Sequence, residues 1–142
     1  MSSFVFNIIK DRISKGEINF NNNTDLKLAL VNEDLFDEDN IETSSTWDDI
    51  NEFEISATWG YDTDGISLSG VEVEENNGNF YVKSDKVEFG TNTTISARGA
   101  VVYDNSFNDD NLICAIDFGK NVTSSNGVYE ITLDDPGFLR IQ

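Results

Sequence analysis

The chain contains no histidine and a single cysteine. Histidine-based catalytic triads, thiolate zinc sites and internal disulfides are thereby excluded, because each needs residues that are not there. Positive charge is scarce as well: nine Lys and Arg stand against 27 Asp and Glu, a formal net charge of −18. That balance opposes approach to a polyanion except through a local basic patch, so no nucleic-acid partner is expected. Long apolar runs are also missing. The N-terminal stretch from Phe4 is broken by Asn7 and ends at Lys10, too early for a signal-peptide core or a membrane span. Synthesis in the cytoplasm and no membrane partner are the expectations. The sequons at Asn22, Asn92 and Asn121 would need a secretory route and carry no weight.

With 142 residues the chain is long enough for one core and too short for two, so residues 1–142 form one domain. Val5, Ile8, Ile9, Arg12 and Ile13 fall at helical spacing, with Ser2 or Ser3 as N-cap and Gly16 placed to end the helix. A helix is predicted over residues 4–15. Four of the five residues from Asn19 to Asn23 are Asn, which favours a turn. Beyond it the pattern is strand and turn. Leu26, Leu28 and Leu30 alternate as in a strand with one face on a core. Strand character recurs over Ile50–Thr58, Ile66–Glu74, Asn79–Ser84, Lys86–Gly90, Thr94–Tyr103, Leu112–Phe118, Val128–Leu133 and Phe138–Ile141. Gly60, Gly65, Asn77-Gly78, Gly90, Gly119, Asn126-Gly127 and Pro136-Gly137 punctuate these runs. Fold class is therefore mainly β, an antiparallel β-sandwich, jelly-roll-like, with one short N-terminal α-helix; a closed barrel is the alternative. The acidic stretch Leu35–Ser45 lacks either period and is predicted to be a surface loop.

Charge is unevenly spread. Fifteen acids and no basic residue lie between Lys27 and Lys83, whereas the first fifteen residues carry Lys10, Arg12 and Lys15 against Asp11. One reading is an ordinary solvated surface. The other is a protein that shows its acidic side to water and grips a partner elsewhere, through Phe4, Val5, Ile8, Ile9, Lys10, Arg12, Ile13 and Lys15. Against that grip stands the simpler expectation that the helix caps the sandwich.

Other chemistry is weakly supported. Asp62-Thr63-Asp64-Gly65 resembles part of a calcium loop, but with Gly65 at the sixth position the first falls on Gly60 and the twelfth on Val71, so the register fails. Nothing singles out a catalytic carboxylate pair, and no strand leads into a Gly-rich phosphate loop. No enzymatic activity, metal or cofactor is expected. Cys114, inside Leu112-Ile-Cys-Ala-Ile116, reads as a small buried hydrophobe. Arg98, inside the apolar run Ile95–Tyr103, either faces solvent or is buried with a carboxylate partner.

Several segments together resemble a family of small virion structural proteins of tailed bacteriophages. They are the N-terminal helix closed by Gly16 with Glu17-Ile18; Leu26–Val31; Trp47-Asp-Asp-Ile50; Gly60-Tyr61 and Gly65–Leu68; Thr94–Tyr103; Leu112–Gly119; and Ser124–Gly127 with Gly137–Leu139. Most specific are Ala97-Arg98-Gly99-Ala100 with Tyr103, and Ile116-Asp-Phe-Gly119. The resemblance implies a non-enzymatic particle component on the exterior of the virion, a capsid decoration or cement protein that binds the major capsid protein or other virion proteins. It carries no catalytic set. Because decorating proteins exploit shell symmetry, a homo-oligomer is expected, with a trimer favoured. The alternative is a tail or head-fibre component, or a host-surface or carbohydrate-binding module using Trp47, Trp59 and Tyr61.

Overall fold

The computed structural model describes residues 3–106, 110–133 and 137–141. Ser2 and Pro136, invoked above as cap and turn residues, lie outside the described residues.

The strands are β1 (Phe4–Val5), β2 (Leu26–Val31), β3 (Ile66–Ser67), β4 (Glu72–Asn76), β5 (Asn79–Lys83), β6 (Val87–Glu88), β7 (Ser96–Asp104), β8 (Asn111–Thr123), β9 (Glu130–Ile131) and β10 (Leu139–Ile141). There are three short helices, α1 (Asn7–Ser14), α2 (Asp34–Asp37) and α3 (Trp47–Ile50), with a 3-10 turn at Ile41–Thr43 between α2 and α3 and another at Asn51–Phe53 after α3. All described pairings are antiparallel, in sheets ordered β1-β8-β7-β2-β3, β10-β5-β4 and β6-β9. The fold is β-sandwich-like with a short N-terminal helix, as the turn spacing predicts.

Alternation in β2 has a stronger consequence than one buried face. Leu26, Leu28 and Leu30 enter one apolar cluster, which also holds Val82, Ala100, Val102, Ile113 and Leu139. Ala29 and Val31 enter a second with Leu35, Phe36, Trp47, Ile50, Val101 and Tyr103. The five-stranded sheet is thus covered on both sides, by the smaller sheets on one and by α2, α3 and the 3-10 turns on the other. Strands buried on both faces must be apolar throughout, which is why β2 and β7 read as near-continuous hydrophobic runs.

This second core overturns two expectations. Residues 35–45 do not form a plain surface loop, because Leu35 and Phe36 on α2 are buried in it. Ile50–Thr58 does not begin as a strand: Trp47–Ile50 is helical, held at its start by Asp49, which accepts from Ser45 N (3.2 Å) and Thr46 N (3.1 Å). Those amides hold the Asp49 carboxyl below the usual carboxylate range.

The N-terminal helix is shorter than predicted. Phe4 and Val5 pair instead with Ala115 and Cys114 of β8, and α1 starts at Asn7 behind Phe6, without a side-chain cap. Edge hydrogen bonds offered by β8 outweigh two more residues of helix. The stop is as expected: Glu17 N donates to Arg12 O and Gly16 N to Ile13 O, a Schellman motif that needs the positive φ of Gly16 (68°).

Phe36→Ala should cost about 3–5 kcal/mol, as for a buried aromatic. Urea denaturation measures this, and a loss below about 0.5 kcal/mol would return the segment to the surface loop read from the sequence.

Candidate functional site

Three places gather the residues singled out above. The first is an open cleft of about 490 Å³ lined by Phe4, Val5, Lys10, Glu38, Asp39, Asn40, Ile41 and Glu42. Strand β1 supplies its apolar floor, and the segment after α2 supplies its acidic rim. The basic island and the acidic stretch are therefore neighbours rather than opposite faces, contrary to the separation drawn from the sequence. Lys10 is exposed beside Glu38, Asp39 and Glu42, and Lys15 pairs with Asp11 (3.1 Å). Of the other predicted grip residues, Ile9 is fully buried in the first core, and Val5 and Ile13 pack against it; Phe4 and Ile8 pack against the second core. Arg12 is half-buried. The helix caps the sandwich with most of its apolar side chains, leaving Lys10, Lys15 and parts of Phe4 and Val5 accessible.

At the second place the two most specific segments of the resemblance meet. β7 and β8 change register between Ala97 and Gly99: Ala97 pairs with Val122 and Gly99 with Asp117, so Phe118–Asn121 bulge out opposite Arg98. Arg98 lies between its two predicted settings, paired with a carboxylate but only half-buried. Its Nε donates to Asp117 Oδ1 (2.8 Å), with the Arg98 side chain 23% exposed and that of Asp117 1% exposed. Gly119 N donates to the same oxygen (2.8 Å), while Ser3 Oγ accepts from Asp117 N (2.9 Å). Burial works to raise the Asp117 pKa, but the Arg98 and Gly119 hydrogen bonds outweigh it and the net shift is downward. Gly99 is required here by contact, not by φ: a Cβ would stand 2.6 Å from Phe36 Cζ and press on the Ile116 carbonyl. These motif residues lock a bulge and seat Phe36. They form no reactive pair.

The third place is the former calcium candidate. Asp64 and Gly65 both have positive φ (72° and 87°), and Gly65 packs directly on the Leu28 backbone, where a side chain would collide. Asp64 Oδ1 accepts from Trp47 Nε1 (3.0 Å) and Asp64 O from Tyr103 Oη (2.6 Å). Glu54 Oε2 accepts from Asp64 N (2.6 Å) and from Tyr61 Oη (2.5 Å), and Tyr61 Oη in turn accepts from Leu30 N (3.0 Å). Trp47 and Tyr103 stack at 5.2 Å with an interplanar angle of 3°. The Asp64 oxygens are engaged in tying α3 to β7, and Glu54 with Tyr61 ties the same turn to β2, whereas Asp62 is exposed. Burial raises the pKa of Glu54, against the pull of Tyr61 and the Asp64 amide, and burial also raises both tyrosines. Among the described residues, no three carboxylate or thiol groups converge to hold a metal ion.

Cys114 is buried and apolar burial raises its pKa to about 12, which suppresses the thiolate. Trp47 and Tyr61 are buried, whereas Trp59 is exposed. No protein-family model, curated protein or solved structure matches the chain.

Because the Asp117 pKa is depressed in the fold, its stabilising contribution is full above the unfolded carboxylate value, about 3.9, and is lost as pH falls through the folded value. Asp117→Asn should therefore lower the melting temperature clearly at neutral pH, with the gap to wild type closing under acid conditions. A gap that is the same at both pH values would show that the carboxylate charge does not hold the bulge.

Proposed function

We propose that the protein is a non-enzymatic structural component of a tailed-phage virion, a decoration or cement protein on the head exterior that binds the major capsid protein lattice. One observation supports this reading above the rest. The segments that carry the resemblance, Ala97–Ala100 and Ile116–Gly119, meet at a half-buried ion pair that braces the scaffold, with Arg98 Nε 2.8 Å from Asp117 Oδ1. Their distinctive residues are needed for shape, which is what a lattice component contributes.

Attachment is assigned to the cleft between β1 and residues 38–42. Phe4 and Val5 give it an apolar floor, and Lys10, Glu38, Asp39 and Glu42 a charged rim, so it suits an apolar side chain flanked by a cation on the shell protein. Many weak contacts of this kind hold firmly when the sites repeat on one particle. A symmetric homo-oligomer, with a trimer favoured, matches the symmetry such a shell offers. The carbohydrate-binding alternative loses two of its three aromatics to the core, since Trp47 and Tyr61 are buried.

Deleting the N-terminal segment would remove Phe6 and Ile9 from the core, so the test uses exposed residues instead. Glu38→Lys with Asp39→Lys should leave the melting temperature within a few degrees of wild type and strip the protein from gradient-purified particles. Retention of the folded double variant at wild-type occupancy would remove the cleft from the proposal. Wild-type protein found only in the soluble fraction of infected cells, and missing from particles, would remove the virion reading itself.

A further inference from the structure

Three segments far apart in the chain, residues 55–61, 89–97 and 121–129, contain no Asp, Glu, Lys or Arg, although charged residues make up 25% of the sequence. The fold draws their loops together and ties them. Thr94 N donates to Trp59 O (2.9 Å) and Thr58 Oγ1 to Thr94 O (3.0 Å). Thr93 N donates to Gly127 O (2.7 Å), and Ser124 N to Ile95 O (2.8 Å). The buried Thr93 hydroxyl joins the same set, 2.7 Å from both Ser124 Oγ and Gly127 O. Loops bonded to one another in this way are held from folding over a neighbouring side chain. Two large apolar groups consequently stay in water. Trp59 is 77% exposed at the tip of the tight turn closed by Thr58 and Tyr61, and Val128 is 57% exposed beside the Thr93–Gly127 bridge.

We propose that this uncharged end is the surface through which a second copy of the chain associates. Two molecules of net charge −18 repel, and most ways of bringing them together set carboxylates opposite carboxylates, which is costly once water is excluded. Meeting through the uncharged end avoids that juxtaposition and buries an indole at its centre. The composition is that of an interface core, depleted of charge and anchored by an aromatic. Charges of both signs border it in sequence: Lys86 lies between Glu88 (3.2 Å) and Glu130 (3.3 Å), Asp62 follows Tyr61, Arg98 follows Ala97 and Lys120 precedes Asn121. A neutral glycan is the other occupant this chemistry could hold. Trp47 and Tyr61, the other aromatics a glycan reading would use, are buried, and that favours the protein copy. The inference takes up only the self-association in the proposed function and does not depend on attachment to a shell.

Sedimentation equilibrium of the purified full-length protein tests it. Association should rise with protein concentration and should strengthen on going from about 0.05 M to about 0.5 M salt, as screening removes the residual repulsion. Trp59→Ala and, separately, Val128→Glu should each weaken association by at least about tenfold. Both residues are exposed, so the melting temperature of either variant should match wild type. A monomer at both salt concentrations, association that weakens with salt, or association unchanged in Trp59→Ala would each overturn the proposal. Saturable quenching of tryptophan emission by a neutral oligosaccharide in a monomeric wild type, absent from Trp59→Ala, would assign the surface to a glycan and overturn it as well. Failure to self-associate leaves particle attachment through the Phe4–Lys10 cleft standing.

Discussion

Burial of both faces of the sheet formed by β2, β7 and β8 is the constraint on which the rest of the molecule depends. A strand apolar on one face leaves its other face for polar residues, but here Leu28 and Ala29, or Val101 and Val102, look into opposite cores. Most charge has to go elsewhere: β2 and β7 keep only Lys27, Arg98 and Asp104, the last buried and accepting from Ser106 N (2.9 Å). With 27 acids in the chain, the outer sheets, the short helices and the loops take nearly all of them, and the few that penetrate need partners. Asp117 has Arg98 and the Gly119 amide, and Glu54 has Tyr61 and the Asp64 amide. Both clusters sit where another layer joins the central sheet, so the buried polar groups mark seams of the architecture.

Much of this was legible because it is periodic or punctuated. β2 occupies the predicted residues, and the strand segments beyond it, apart from Ile50–Thr58, each contain an observed strand, though several are much shorter than the pattern suggested. What escaped notice was local structure without a period. A four-residue helix such as Asp34–Asp37 shows barely one turn, and Leu35-Phe36 inside an acidic stretch gives no hint of the core that receives it. Phe4 and Val5 fit a helix as well as a strand; an open sheet edge supplied from residues about 110 positions away decided between them.

The candidate sites were less legible for a related reason. Lys10, Lys15 and the acids at 38, 39 and 42 were visible as charges, but their adjacency arises from tertiary packing. Arg98 advertised itself as a polar residue in an apolar run, and only the fold supplied Asp117. Trp47, Trp59 and Tyr61 looked equivalent in sequence, yet two anchor the core and one stands in water. The missing signal for Trp59 was the absence of charge in three separate segments, which has meaning only once they are neighbours. Acidic surface, apolar cleft and uncharged end are three chemically different parts of the exterior, and the proposed attachment and self-association fall on the last two.

Native-state amide hydrogen exchange of the full-length protein tests the double-faced core most directly. Amides of β2, of β7 and of the β8 segment facing it should exchange at the slow limit set by global unfolding, and the hydrogen-bonded amides of Phe36 and Asp49 should show protection well above that of the Asn19–Asn23 turn. Rapid exchange throughout residues 34–50, with the sheet still protected, would mean that the helical layer is not part of the cooperative fold and would contradict the account.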